Sequence, residues 1–297
     1  MIQKCLKQSR DLMLKNIHVM SQPKIRTFFQ PKSTSIPLHL VKPIRKVDRM
    51  PRLPDSSDFP SSLNLSITPT PTNQPPVNIL ILLHGLGDTH IPFASLAKAL
   101  NLPETACISL QAPSPIPALF TGSDLPSFHW GDDVLFDDRS GELDLDAGFK
   151  TAGVILKEVI EEILVKKCGF EKRGILLYGF GQGAMAALSI VASEDAEFGG
   201  VVSIGGKLPE SISSSSLGSG KQRFRTPILV LGGSKSKQIT RSAVDGLKAR
   251  FNDVEYVKWE KSDDSMPRSR EEMLPIMKFF ARRLRSRAGV PKDAVEI

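Results

Sequence analysis

The sequence predicts an α/β fold, a mostly parallel sheet with helices on both faces. Two observations carry that expectation. Short apolar runs rich in Val, Ile and Leu are continuous and not alternating, as strands covered on both faces require. They also take turns along the chain with longer amphipathic stretches, the pattern of strand–helix–strand units. The 297 residues are 40% hydrophobic and 24% charged, enough apolar surface for a core in one large domain.

Each element has its own justification. Val77–Leu83 is a β-rich run that stops at His84-Gly85, so it reads as a buried strand. Pro92–Leu100 has helical spacing, and Thr105–Leu110 is a second strand followed by the Pro-rich loop 112–118. Asp144–Lys167 is the longest helical pattern, with Phe149, Ala152, Leu156, Val159, Ile160 and Ile163 on one face. Strands follow at Gly174–Tyr178, Gly200–Ile204, Pro227–Leu231 and Val254–Trp259. Helices are expected at Ala184–Ala192, Thr240–Phe251 and Arg270–Arg287. The domain so defined spans 77–287, with a short tail at 288–297.

Ahead of it the chain changes character. Residues 1–53 hold twelve Lys/Arg against Asp11 and Asp48, a net +10, whereas the whole chain is +7. The remainder therefore carries 27 basic and 30 acidic residues, a net −3. The basic balance belongs to the leader and not to the body, which argues against a nucleic-acid surface. Residues 1–50 read as an unstructured basic leader. Its sparse acids and the pattern near Leu6–Met20 have features of a mitochondrial presequence, and Met50 offers an alternative start. Residues 51–76, rich in Pro, Ser and Thr, read as a linker, and Ser211–Lys221 as a flexible surface loop. No apolar run approaches the eighteen or so residues of a membrane span. Three cysteines, Cys5, Cys107 and Cys168, form neither a disulfide framework nor a zinc pattern. A reducing compartment, the cytoplasm, is expected, with the mitochondrion as the alternative.

The informative segment is Ile175-Leu-Leu-Tyr-Gly179-Phe-Gly181-Gln-Gly183-Ala. A strand passes through a glycine turn straight into a helix, the geometry of a nucleophile elbow whose central residue sits at the helix N-terminus. Here that residue is Gly181, which keeps the turn and supplies no nucleophile. Upstream, His84-Gly85-Leu86-Gly87-Asp88-Thr89 follows the first core strand and can present a backbone N–H to a developing anion. The same glycines fit a dinucleotide fingerprint, Gly179-x-Gly181-x-x-Ala184. That reading, an oxidoreductase, lacks the acidic residue at the end of the next strand, since Val201–Gly205 has none.

Together the two glycine loops resemble the phospholipase/carboxylesterase family of α/β-hydrolases, which includes the acyl-protein thioesterases. The resemblance extends from about Val77 to Leu284, through Gln111-Ala-Pro and the Phe128–Asp132 region. It implies oxyanion donors at the Leu86 and Gln182 N–H groups, in a pocket with His84, Gly85, Gly87, His129 and Trp130. It implies the nucleophile at Gly181 and the acid at Ser236, in Leu231-Gly-Gly-Ser-Lys-Ser236. The base falls at Met266 by counting back from Glu271-Glu-Met and at Asp264 by counting forward from Trp259. No histidine follows His129. The three positions of the triad thus hold none of its residues. The expectation is a hydrolase fold without its reaction, a binding or regulatory protein for an acyl or ester ligand or a protein partner. The alternative is a weak ester or thioester hydrolase using other groups, for instance a water activated by His84, His90 or His129. No cofactor or metal is expected, because Asp132-Asp133 and Asp263-Asp264 lack a ligand at metal spacing. Ser189 is expected to be buried, and Ser203 and Cys168 have no base assigned to them.

Overall fold

The computed structural model describes residues 50–72, 74–122, 125–135, 144–213 and 223–287. The leader at 1–49, the tail at 288–297 and most of Ser211–Lys221 lie outside them.

Seven strands form one sheet: β1 Leu65–Thr68, β2 Asn78–Leu83, β3 Thr105–Leu110, β4 Ile175–Phe180, β5 Gly200–Ile204, β6 Ile228–Gly232 and β7 Val254–Lys258. Their spatial order is β1-β3-β2-β4-β5-β6-β7, and all pairs are parallel except β1 with β3. The α-helices of eight or more residues are α1 His90–Leu100, α2 Lys150–Lys157, α3 Gln182–Val191, α4 Arg241–Arg250 and α5 Arg270–Arg283. After α2 the chain continues without a break as a wider π-helix over Glu158–Lys167.

The continuous apolar runs are explained by the two-sided core. In β2, Ile79, Ile81 and Leu83 enter one cluster with residues of α2, α3, α4 and the π-helix. Leu80 and Leu82 enter the other, with α1 and α5. Parallel register aligns the strand ends. Leu83 lies opposite Gly179, and Phe180 lies opposite Ile204. The loops after β2, β4, β5 and β6 therefore meet at one edge of the sheet, where α/β folds place their sites.

The segment expected as a linker is partly built into the domain. Phe59 is buried in the first cluster, and Leu65–Thr68 adds the antiparallel edge strand. Leu65 and Ile67 pack on that cluster from a strand alternating with Ser66 and Thr68, the half-buried pattern of an edge. The Pro-rich stretch follows the strand and ends it, as proline does at a sheet edge. Asp58 anchors the segment, accepting the fork of Arg52 at 2.7 and 2.8 Å and the ammonium of Lys167 at 2.8 Å.

Two boundaries also move. The helix expected from Asp144 begins at Lys150, because Gly148 has φ +76° and the Asp132 carboxylate accepts the Lys150 and Thr151 N–H groups. Asp132 is thus a helix cap supplied from a distant loop. The last helix ends at Arg283, and Arg285 then bonds through its backbone to the Asn78 side chain in both directions. Within the loop at 112–118, Ser114–Pro115 pairs with Phe128–His129 as a two-residue antiparallel ribbon.

Candidate functional site

The turn between β4 and α3 has the backbone of an elbow. Gly181 sits at φ +50°, ψ −117°, a conformation that L side chains rarely adopt. Its N–H donates to the Ile204 carbonyl at 2.8 Å, and its own carbonyl accepts the Ala184 and Met185 N–H groups at 3.1 Å. The neighbouring glycines are there for a different reason. A Cβ on Gly179 would lie 2.4 Å from the Ala184 Cα, and one on Gly183 would lie 2.3 Å from the His84 oxygen. At Gly181 a Cβ would meet nothing within 4 Å. The flanks need glycine for close approach; at the centre glycine relieves the strain of the angles, and a side chain there would enter open space.

The loop after β2 lies against this turn. Gly85 is so close to Phe180 that a Cβ would fall 2.7 Å from the ring. Among the described residues the Leu86 N–H donates to no protein acceptor. The Gln182 N–H opens α3, so it has no acceptor one turn back in the helix. These are the two expected oxyanion donors. Gly87 adopts φ +82° on the same loop, and its N–H donates to Phe128.

A buried network stands behind them. His84 Nε2 accepts the Ala112 N–H at 2.9 Å and the Gln111 side-chain amide at 2.9 Å. The proton of the neutral ring is therefore on Nδ1, which donates to the Gly85 carbonyl at 2.7 Å. Burial holds the His84 pKa below its ordinary value. Gln111 Oε1 in turn accepts the His90 Nδ1–H at 2.8 Å. Trp130 ties the two loops together, its indole N–H on the His84 carbonyl at 2.8 Å and its backbone N–H on Gln182 Oε1 at 2.7 Å. Gln182 Nε2 reaches the Leu145 carbonyl at 3.2 Å. His129 is buried, its pKa lowered by that burial, and its Nδ1 has no hydrogen-bond partner.

On the other side of the turn, the position expected for the acid is linked to its surroundings by hydrogen bonds. Ser236 Oγ donates to Asp264 Oδ2 at 2.7 Å and accepts the Gln238 and Ile239 N–H groups. Asp264 Oδ1 accepts the Gly233 N–H at 2.8 Å. Asp264 packs on Gly205, where a Cβ would lie 2.8 Å from its own, and Gly206 packs on the Gly181 carbonyl. Of the two residues reached by counting, Asp264 meets Ser236. Met266 points elsewhere: it packs on the second core cluster and its sulfur accepts the Tyr178 hydroxyl at 3.9 Å. The loop is held by Lys261, which stacks 4.0 Å from the Trp259 ring and donates to the Met266 carbonyl and to Glu272.

Other candidates have structural partners. Ser203 donates to the Gly206 carbonyl at 2.7 Å, and Ser189 is half-buried where burial was expected. Burial pushes the Cys168 thiol pKa up, away from nucleophile behaviour. Asp263 caps Ser265. Among the described residues no group of three His, Cys, Asp or Glu side chains could hold a metal, and no helix is long and apolar enough to cross a membrane. Sequence reasoning missed one participant and one pairing. Gln111 was visible only as the first residue of Gln111-Ala-Pro, and nothing in the sequence paired Asp264 with Ser236.

A parallel sheet with an antiparallel first strand, an elbow after its central strand and a glycine loop facing it define an α/β-hydrolase fold. The phospholipase/carboxylesterase family description matches residues 69–284, and the chain belongs to that family. An uncharacterized hydrolase of Schizosaccharomyces pombe is 31% identical over 223 residues, covering 74% of this chain and 89% of that protein. Acyl-protein thioesterase 1 of Debaryomyces hansenii is 31% identical over 165 residues, covering 53% and 68%. Among solved structures, Zea mays acyl-protein thioesterase 2 aligns with a TM-score of 0.54 at 19% identity, covering 74% of this chain and 98% of that one. At that identity the structural likeness speaks for the fold alone.

Proposed function

We propose that this family member has lost the family's hydrolysis and acts as a binding or regulatory protein that holds the carbonyl or carboxyl end of an acyl compound at the elbow. The observation that carries the reading is Gly181: the turn is kept, the space for a side chain is open, and no nucleophile occupies it. Ser236 and Asp264 support it, because they bond to each other and to loop N–H groups in the place the resemblance gives to the acid and in one of the two it gives to the base. A hydrolase deprived of its triad falls by about a million-fold and retains only roughly a thousand-fold over water from the oxyanion hole and binding. Leu86 and Gln182, by contrast, keep donors suited to a carbonyl oxygen or carboxylate. His84 gives no support to an alternative base, since both ring nitrogens are engaged. The site is proposed for a small acyl or ester ligand, with a protein partner as the other kind of ligand and no role for nucleic acid or a cofactor. A cytoplasmic location is part of the same proposal.

A second reading, weak ester or thioester hydrolysis, draws on the retained donors. Turnover of a short-chain p-nitrophenyl ester and an acyl thioester by the full chain separates the two, with Leu86→Pro as the variant lacking one donor. Folded protein is expected to give no turnover above background, and Gly181→Ser alone to restore none. Turnover that disappears in Leu86→Pro would establish a working site and overturn the proposal.

A further inference from the structure

The Gly85–Leu86 peptide is planar and trans, so its carbonyl oxygen and its N–H point in opposite directions. Whatever fixes the Gly85 oxygen also fixes the direction of the Leu86 N–H. The Gly85 oxygen is held at 2.7 Å by His84 Nδ1–H, from a ring that is fully buried. That proton is on Nδ1 because two donors, the Ala112 N–H and the Gln111 amide, converge on Nε2 at 2.9 Å. The ring itself is braced by Trp130, 5.5 Å away between centroids, whose backbone N–H also grips Gln182. On the far side of the peptide, Gly85 sits against Phe180, the residue before Gly181.

We infer that His84 is a positioning residue: held as its Nδ1–H tautomer by Gln111 and Ala112, it aims the Leu86 N–H at the elbow through the Gly85 peptide. The side chain never meets the ligand. It converts an otherwise mobile glycine loop into a preorganised donor, which is what makes a backbone N–H effective toward an oxyanion or carboxylate. Gln111 extends the control to His90, whose ring N–H occupies its oxygen and so turns its amide toward His84. The inference rests on the proposed ligand role of the Leu86 N–H, and its first test is independent of any ligand.

That test is nuclear magnetic resonance on the ¹⁵N-labelled full chain. His84 is expected to show the neutral Nδ1–H tautomer at pH 7; a neutral Nε2–H ring or an imidazolium would overturn the inference. His84→Asn keeps an N–H near the Gly85 oxygen, and His84→Phe removes it. A sharp Leu86 amide signal is expected in the wild type and in His84→Asn, with broadening in His84→Phe while signals of β5 to β7 stay in place. Equal behaviour of the two variants at Leu86 would overturn the positioning role. Octanoate serves as the ligand probe, expected to shift the Leu86 and Gln182 amides in the wild type and at least tenfold more weakly in His84→Phe. If octanoate shifts neither amide in the wild type while the tautomer and the Asn rescue hold, the binding proposal fails and the positioning assignment stands.

Discussion

The three glycines of the elbow, Gly179, Gly181 and Gly183, look alike in sequence and differ in what they prevent. At Gly181 the cost of a side chain is conformational, about 1–2 kcal/mol for a non-glycine residue at positive φ. At Gly179 and Gly183 the cost is collision with backbone atoms at 2.4 and 2.3 Å, which only movement of α3 or the His84 loop could relieve. Gly181→Ala is therefore expected to lower stability by about 1–2 kcal/mol, and Gly179→Ala by about 3 kcal/mol or to fail to fold. Urea denaturation midpoints of the two variants would test the order. A thiol at 181 makes a sharper probe, because a helix N-terminus favours the thiolate. Gly181→Cys is expected to release one equivalent of nitrophenol from a p-nitrophenyl ester and then stop, with the acyl group retained on the protein by mass. Continued turnover would mean that a base capable of deacylation is present. At this scale the elbow was legible because glycine spacing is a local signal. The partner of Ser236 was not. Asp264 and Met266 are two residues apart in an irregular loop, and only the packing of Asp264 on Gly205 and of Met266 on the second core cluster decides which one faces the acid position.

Among elements, the edge strand β1 shows why composition misleads. Prolines and threonines on its C-terminal flank dominate the reading of 51–76, yet Leu65-Ser-Ile67-Thr carries the alternation of a half-buried strand. Four residues are too short for periodicity to outweigh their surroundings. The long buried strands had no such competition and were legible to within a residue or two. The structural role of the segment makes a prediction. Asp58 receives Arg52 and Lys167 while its side chain is only 6% exposed, and these cations hold its pKa well below the usual carboxylate range. Replacing it by Asn removes the charge-assisted bonds to Arg52 within the segment and to Lys167 at the end of the π-helix. Asp58→Asn is expected to cost about 1–2 kcal/mol, read as a lower urea midpoint at pH 7. Removal of residues 1–49 leaves Asp58, Phe59 and β1 in place and is expected to leave that midpoint unchanged. Removal through residue 68 strips the edge of β3 and is expected to cause aggregation, seen by light scattering. If the longer truncation were as stable and monodisperse as the shorter, the segment would be a linker after all.

Across the whole molecule, the buried histidines couple the integrity of the site to pH. His84 and His129 are buried, and in both the pKa is lowered from 6.5 chiefly by desolvation of the charged ring. The unfolded chain takes up these protons at higher pH than the folded one. Their contribution to stability is therefore complete above about pH 6.5 and is lost as pH falls toward the folded values. Each group contributes a slope of at most about 1.4 kcal/mol per pH unit in that window. The paired carboxylates act lower down. Asp58, Asp132 and Glu194 are shifted below their ordinary values and lose their contribution only as pH falls through the acid range. Asp146 runs the other way, since burial raises its pKa and favours the folded state when protonated. Between pH 7.5 and 5.5 the histidines should thus dominate, and the urea midpoint is expected to hold down to about pH 6.5 and to fall below it. His129→Phe removes one titrating ring whose Nδ1 has no hydrogen-bond partner to lose, so it should flatten the slope. His84 cannot be replaced as cheaply, because it holds the Gly85 oxygen and accepts the Gln111 and Ala112 donors, and protonation of its Nε2 would set a new N–H against those two donors. If His84 aims the donor, the octanoate-induced shift of the Leu86 amide should fade over the same pH range in which stability falls. A midpoint that stayed constant from pH 7.5 to 5.5 would mean that the two rings are not held neutral by the fold.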